Sequence, residues 1–233
     1  MSFIQIEEQV MVKKILVVLA ALAIVSDANA ESPMKEPSAR TRTWEMALQT
    51  RYQFSKDLNY KGGSSVSIDD DFAWGFAANY NLNEKINLGT EFGWNLINYN
   101  ANVLNSDGDY SLLGGTAETS TWLFNATWHI LPTKVTPFAI GSVGWGAFDS
   151  EISTGNLVGT CWWDPWYGYI CGYYPETYGD DAIVYRAGGG LRFDSAGSFF
   201  MKAMYTAQWQ DFGNSSENPA YHQIRFEFGS MFR

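Results

Sequence analysis

The sequence has few of the residues on which metal clusters, nucleic-acid binding and disorder depend. Among 233 residues there are two Cys and two His, too few for a zinc site built from Cys and His ligands. Only 15 residues are Lys or Arg against 25 Asp or Glu, so no basic surface is available for a phosphate backbone. Charged residues make up 17% and aromatic residues 16% of the chain, whereas disordered proteins have many charges and few aromatics. The sequence therefore predicts a folded protein that binds no nucleic acid.

The chain also lacks an apolar run long enough for a membrane-spanning helix, which needs ~20 residues. Its one long run covers residues 15–25, after Lys13 and Lys14 and before the sequence Ala28-Asn29-Ala30. A basic end, a short apolar core and small residues at the cleavage site are the parts of a secretory signal peptide, whereas a buried helix is the alternative interpretation. We predict a signal peptide at residues 1–30, with Met11 as an alternative start because two acidic residues precede it. A short periplasmic segment at residues 31–42 is expected to follow.

Apolar and polar residues alternate through most of the remaining chain. In the first such segment Trp44, Met46 and Leu48 fall on one face, and Glu45 and Gln49 fall on the other. A period of two residues is typical of a strand with one apolar and one polar face. The same pattern predicts eight strands, at residues 44–54, 72–80, 86–96, 121–130, 135–147, 183–193, 199–210 and 223–232.

Short and long connections between these strands alternate, and the longest spans residues 149–181. Such alternation is typical of transmembrane barrels with short periplasmic turns and long external loops. The polar face carries mainly small residues, which suit a wet interior, while the apolar face carries large aromatics near strand ends, as in the girdles of such barrels. These aromatics are Trp44, Phe54, Tyr80, Trp128, Trp145 and Trp209. We predict an all-β, eight-stranded antiparallel up-and-down transmembrane β-barrel at residues 43–233. A soluble sandwich or lipocalin-like barrel is the alternative.

Three segments carry a resemblance to a known family: residues 136–146, residues 186–191 and the aromatic final strand. Over residues 43–233 the chain resembles the small eight-stranded outer-membrane β-barrels of the OmpA, OmpX and OmpW kind. The resemblance implies a monomer in the outer membrane of a Gram-negative cell, surrounded by lipid and lipopolysaccharide and inserted by the barrel-assembly machinery. Members of this family usually end on an aromatic residue, whereas here Arg233 follows Phe232.

Eight charged residues fall on the predicted interior face. Because an unpaired charge in a confined site is costly, we expect them to pair across the lumen. An eight-stranded barrel is narrow enough for its own side chains to fill it, so an ion-pair plug is the preferred interpretation and a gated, narrow ion path is the alternative. The residues are Glu45, Arg51, Glu91, Arg186, Arg192, Lys202, Arg225 and Glu227.

The third long loop contains both cysteines of the chain, Cys161 and Cys171. In an exported protein such a pair predicts a disulfide. By restricting the unfolded chain, the disulfide would stabilise the folded loop by ~2.5–3 kcal/mol in the loop-entropy picture. Rigid exposed aromatics are typical of recognition surfaces, here for an external ligand or a host surface. Packing on one another over the barrel mouth and anchoring at the membrane interface are the alternatives. The candidate recognition residues are Trp162, Trp163, Trp166, Tyr167, Tyr169, Tyr173 and Tyr174.

The sequence predicts no catalytic centre, cofactor or metal site. His129 and His222 are expected at opposite ends of the barrel, and neither has a Ser neighbour for a lipid-modifying dyad. The external loops are acidic, but their spacing matches no calcium-binding loop. We therefore expect a structural or surface-recognition role. A narrow channel for small or hydrophobic solutes is the alternative, and a lipid-modifying enzyme is a third hypothesis.

Overall fold

A computed structural model describes residues 38–59, 63–104, 109–195, 197–211 and 220–233. The predicted signal peptide and most of the predicted periplasmic segment lie outside these residues. Within them the chain forms ten β-strands and no helix that could cross a membrane. The strands are β1 (Trp44–Gln53), β2 (Lys56–Asn59), β3 (Ser65–Ile68), β4 (Asp71–Asn81), β5 (Ile86–Leu104), β6 (Tyr110–His129), β7 (Val135–Asp164), β8 (Gly168–Asp194), β9 (Phe199–Asp211) and β10 (Ala220–Phe232).

Eight of these strands close into one antiparallel barrel. Starting from β1, the order around the wall is β1, β10, β9, β8, β7, β6, β5 and β4, and β4 pairs with β1 again. Closure pairs the first strand, β1, with the last, β10: Trp44 is opposite Phe232 and Tyr52 is opposite Ile224. The predicted eight-stranded antiparallel barrel is therefore confirmed.

The alternation of apolar and polar residues in the sequence places successive side chains alternately on the outer surface and inside the barrel. On β1, Glu45 is 0% exposed and points into the barrel, whereas its neighbour Met46 is 61% exposed on the outer surface. The interior is polar and charged, and the outer wall is apolar, which is the reverse of a soluble barrel. Exposed aromatics cluster near both ends of β1, where Trp44 packs on Tyr80 and Tyr52 packs on Phe72. This surface is that of a transmembrane β-barrel, with an apolar band between two aromatic girdles.

Two short strands, β2 and β3, were not predicted. They form a hairpin within the link from β1 to β4, and β3 extends the wall by pairing with the far end of β5. Ile68 is opposite Tyr99 and Val66 is opposite Ala101 in this pairing. Leu58, Ile68 and Tyr99 belong to a buried apolar cluster, so this end of the interior is hydrophobic.

The link at residues 149–181, which we predicted as the longest loop, is instead a β-hairpin. β7 and β8 continue beyond the rest of the barrel and remain paired up to Asp164 and Gly168. Two register shifts, between Asp149 and Ser153 and between Ser153 and Leu157, interrupt the pairing. Such irregularities break the period of two, which is why the sequence pattern ends near Ala147 although the strand does not.

Candidate functional site

The eight predicted lumen charges are all buried inside the barrel. They project from five strands of the wall. On each strand every second side chain points inward, so these residues share the barrel interior. Glu45 and Arg51 lie on β1, Glu91 on β5, Arg186 and Arg192 on β8, Lys202 on β9, and Arg225 and Glu227 on β10.

One group of ion pairs forms around Glu45, near the end of the barrel where β1 begins and β10 ends. Its carboxylate lies 2.6 Å from Nη2 of Arg192 and 3.6 Å from Nζ of Lys202. Asn81 donates an amide hydrogen bond to the same carboxylate at 2.6 Å. The ring of Phe200 lies beneath both cations, 4.5 Å from the Arg192 guanidinium carbon and 5.1 Å from Nζ of Lys202. Glu45 is therefore held by two cations and an amide, as a buried carboxylate requires.

A second group forms around Glu91, nearer the middle of the barrel. Arg186 places Nη1 2.5 Å from one carboxylate oxygen, and Arg225 places Nη2 2.8 Å from the other. The amide of Asn125 donates to Glu91 at 3.1 Å and accepts from Arg186 at 3.2 Å. These contacts cross the lumen between β5, β8 and β10.

Glu227 joins the two groups. Nζ of Lys202 lies 3.1 Å from this carboxylate, and Gln49 donates to it at 2.9 Å. Gln49 also accepts a hydrogen bond from Arg225 at 2.8 Å. The result is one continuous polar network from Glu45 to Glu91.

Arg51 stands apart from this network. Its Nη1 donates to Oγ1 of Thr121 at 3.4 Å, and no carboxylate of the described residues lies within salt-bridge distance. The guanidinium extends past β4 towards β5, where a Cβ added at Gly93 would lie 2.9 Å from Nη1. The glycine therefore leaves room for the arginine to reach β5 and β6.

Sequence reasoning missed two members of the network, Asp194 and Arg40. Asp194 pairs with Arg192 at 2.6 Å and with Arg40 at 3.1 Å. Burial lowers the pKa of the Arg40 guanidinium to about 10, and the nearby Asp194 carboxylate opposes this shift, so Arg40 stays cationic at neutral pH. Asp194 lies an even number of residues from Arg186 and Arg192 on β8, so the alternating pattern was a signal that could have placed it inside the barrel. Arg40 gave none, because a turn with a positive φ at Arg42 separates it from β1.

The predicted disulfide is present at the far end of the β7–β8 hairpin. Cys161 is directly opposite Cys171, with the two Cα atoms 4.1 Å apart. Trp163 and Tyr169 form the next pair on the same face, and their ring centroids are 6.1 Å apart. The ring of Tyr173 covers Gly159 on this face as well. We call Trp163, Tyr169 and Tyr173, together with the tip residues Trp166 and Tyr167, the hairpin aromatic surface.

The tip of the hairpin is a tight turn. Oδ1 of Asp164 accepts hydrogen bonds from the backbone N–H of Trp166 at 2.7 Å and of Tyr167 at 2.9 Å. Gly168 has a φ of 78°, a conformation that favours glycine. Trp166 is 89% exposed and Tyr167 82% exposed. Of the other predicted recognition residues, Trp162 lies on the opposite face, and the side chain of Tyr174 is outside the described set.

The two histidines lie far apart in the barrel. His129 is buried at the end of β6 beside Phe138, and neither of its ring nitrogens has a partner among the described residues. His222 is exposed on the outer wall, where Nδ1 lies 2.8 Å from the hydroxyl of Tyr205. The described residues contain no group of three or more metal-ligating side chains.

No protein-family model and no curated protein matches the sequence. Among solved structures, the N-terminal β-barrel domain of Pseudomonas aeruginosa OprF is 13% identical, with a TM-score of 0.45 over 82% of this chain and 98% of that chain. Neisserial surface protein A is 9% identical, with a TM-score of 0.47 over 81% and 95%. The outer membrane protein OprG from Pseudomonas aeruginosa is 10% identical, with a TM-score of 0.45 over 86% and 99%. All three are small outer-membrane β-barrels, and the similarity is one of fold alone.

Proposed function

We propose that this protein is an outer-membrane barrel that conducts no solute and displays the hairpin aromatic surface outside the cell for recognition. The observation that carries the proposal is the hairpin itself, which extends two barrel strands and ends in exposed aromatics above a disulfide. Anchoring in lipid, a closed lumen and an exposed binding element together suit a surface protein rather than a transporter.

The apolar wall supports the membrane setting. Large side chains such as Phe76, Phe92 and Phe124 are about half exposed in a continuous band around the barrel. Exposed apolar surface of this extent is unfavourable in water and favourable in lipid. The signal peptide predicted at residues 1–30 supports export, and the outer membrane is where closed β-barrels of this kind reside.

The ion pairs support a closed lumen. Glu91 and Glu45 are bound from several sides by Arg186, Arg192, Arg225 and Lys202. Opening a path would separate these partners and leave buried charges unpaired, at a cost of several kcal/mol for each charge. A gated ion path would have to supply this energy each time it opened.

The orientation of the barrel supports display outside the cell. The ends away from the hairpin have short links: residues 82–85, residues 130–134, and the link between Asp194 and Phe199. In membrane barrels short turns lie on the periplasmic side and long connections on the external side. The long β7–β8 hairpin then projects outward, as does the β2–β3 hairpin.

The hairpin is suited to recognition because its aromatic side chains are exposed and their backbone is constrained. The disulfide and the Asp164 turn fix the frame, so binding would order little additional backbone. Tyr and Trp provide large contact areas at low side-chain entropy cost, and their flat faces stack on sugar rings. High exposure of Trp166 and Tyr167 favours binding over packing of the aromatics on one another.

A glycan array tests this proposal. The probe is the full barrel in lipid nanodiscs, compared with a W163A/Y169A variant and with a W162A variant that changes the opposite face of the same hairpin. We expect glycan binding by the wild type, loss of binding in W163A/Y169A, and retention in W162A. Equal binding by all three proteins, or no binding by the wild type to any surface glycan, would reject the proposed recognition role.

A further inference from the structure

The end of the barrel interior nearest the hairpin contains a cavity of about 420 Å³ that the proposed function does not use. Its walls are mainly apolar side chains from the β2–β3 hairpin and from β5, among them Leu58, Val66, Ile68, Ile97 and Ala101. We call this space the chamber. Its volume lies in the range of small-molecule sites, and apolar walls with a few polar groups are typical of such sites.

Arg51 forms the polar floor of the chamber. Its side chain is 6% exposed, lines the cavity, and has no described carboxylate within salt-bridge distance. The carboxylate of Glu91 is bound by Arg186 and Arg225, and that of Glu227 by Lys202. Arg51 therefore adds a positive charge to an interior in which Glu45, Glu91 and Glu227 are already paired with other cations. A buried cation without a counter-charge is costly, so an anion placed here would be stabilised.

A second polar group at the floor supports a ligand with a charged end. Gln208 is buried and lines the chamber, and its side-chain oxygen has no hydrogen-bond partner among the described residues. The NH₂ group of the same amide would donate to an anionic oxygen in the chamber. The described lining also includes one carboxylate, that of Asp180, but this residue is exposed to solvent and makes no salt bridge with Arg51.

We propose that the chamber binds an aliphatic carboxylate, with the carboxylate on Arg51 and the chain against the apolar walls. Two features that are separately unusual in this lumen meet here: an apolar pocket, and a buried arginine at its base that has no carboxylate partner among the described residues. The ion-pair network around Glu91 and Glu45 closes the lumen below Arg51, so the ligand is held there and does not pass through. The proposal is independent of the hairpin aromatic surface.

Calorimetric titration of the full barrel in nanodiscs with octanoate tests this assignment, and empty nanodiscs give the contribution of partitioning into lipid. Octanol and octylamine carry the same chain with a neutral and a cationic end. The variants are R51Q, which removes the charge, R51K, which keeps it, and A101F, which fills the chamber from its wall. W163A/Y169A serves as the control for the hairpin. A shift between boiled and unboiled bands on a gel establishes that each variant is folded.

We expect one octanoate per barrel, with affinity reduced about tenfold or more by R51Q and by A101F, and largely kept by R51K and W163A/Y169A. Octylamine should not bind above the empty-nanodisc signal. Octanoate binding that is equal in the wild type, R51Q and A101F would overturn the proposal, as would tighter binding of octylamine. Loss of binding in W163A/Y169A but not in R51Q would place the site on the hairpin instead.

Discussion

Arg186 on β8 and Glu91 on β5 pair across the lumen, with Nη1 2.5 Å from Oε1. Their strands are not neighbours, because β7 and β6 lie between them in the wall. The contact therefore ties opposite sides of the barrel and occupies the space through which a solute would pass. Arg225 binds the same carboxylate from β10, so three strands meet at one acidic group.

Replacing this carboxylate should destabilise the barrel. E91Q leaves Arg186 and Arg225 buried beside an uncharged amide, and we expect the free energy of unfolding to fall by ~3–5 kcal/mol. Denaturant titration of the barrel in lipid vesicles measures the change. E118Q is the matched control, since Glu118 is exposed on the outer wall and should alter stability little. Equal stabilities of E91Q and E118Q would show that the lumen pairs do not support the fold.

The same substitution should change conductance. The wild type is expected to give essentially no current in a planar bilayer, because the network from Glu45 to Glu91 fills the lumen. In E91Q the unpaired arginines repel one another, so we expect brief openings. Steady wild-type conductance would instead favour a narrow channel and would contradict the closed lumen.

Residues 38–43 should be held to the barrel by Asp194. Ser38 donates to this carboxylate at 2.9 Å and Arg40 pairs with it at 3.1 Å. D194N should release the segment, with a loss of ~1–3 kcal/mol from the broken charged contacts. Trypsin should then cleave after Arg40 or Arg42 faster than in the wild type. D180N, which changes an exposed carboxylate at the other end, should leave the cleavage rate unchanged.

A charge introduced on the outer wall should show whether this surface faces lipid or water. F76R places a cation in the middle of the apolar band, and we expect a loss of ~2–4 kcal/mol in the free energy of folding into vesicles. L112R is the control, because Leu112 is exposed on β6 well beyond the band. Equal effects of the two substitutions would mean that the band does not lie in lipid.

The disulfide should stabilise the hairpin and not the barrel. C161S/C171S removes a ten-residue cross-link, which is worth ~2.5–3 kcal/mol in the loop-entropy picture. We expect faster protease cleavage near Trp166 and an unchanged unfolding midpoint of the barrel. A large fall in that midpoint would show that the hairpin and the barrel unfold together.

The barrel strands were predictable from the sequence because successive residues of a strand point to opposite faces of the barrel wall. This period of two also placed Glu91 and Arg186 in the lumen, but their pairing depends on the register of four strands, which the pattern does not contain. The β2 and β3 strands span four residues each, too short for a periodic signal. The β7–β8 hairpin was missed because register shifts near Ser153 break the alternation.

The proposed recognition role requires the hairpin aromatic surface to lie outside the cell, on a barrel in the outer membrane. An epitope inserted between Trp166 and Tyr167, at the exposed tip, tests this most directly. We expect antibody to label intact cells that make this protein, with no increase in labelling after the outer membrane is permeabilised. Labelling that requires permeabilisation would place the hairpin inside the cell envelope and would contradict the account.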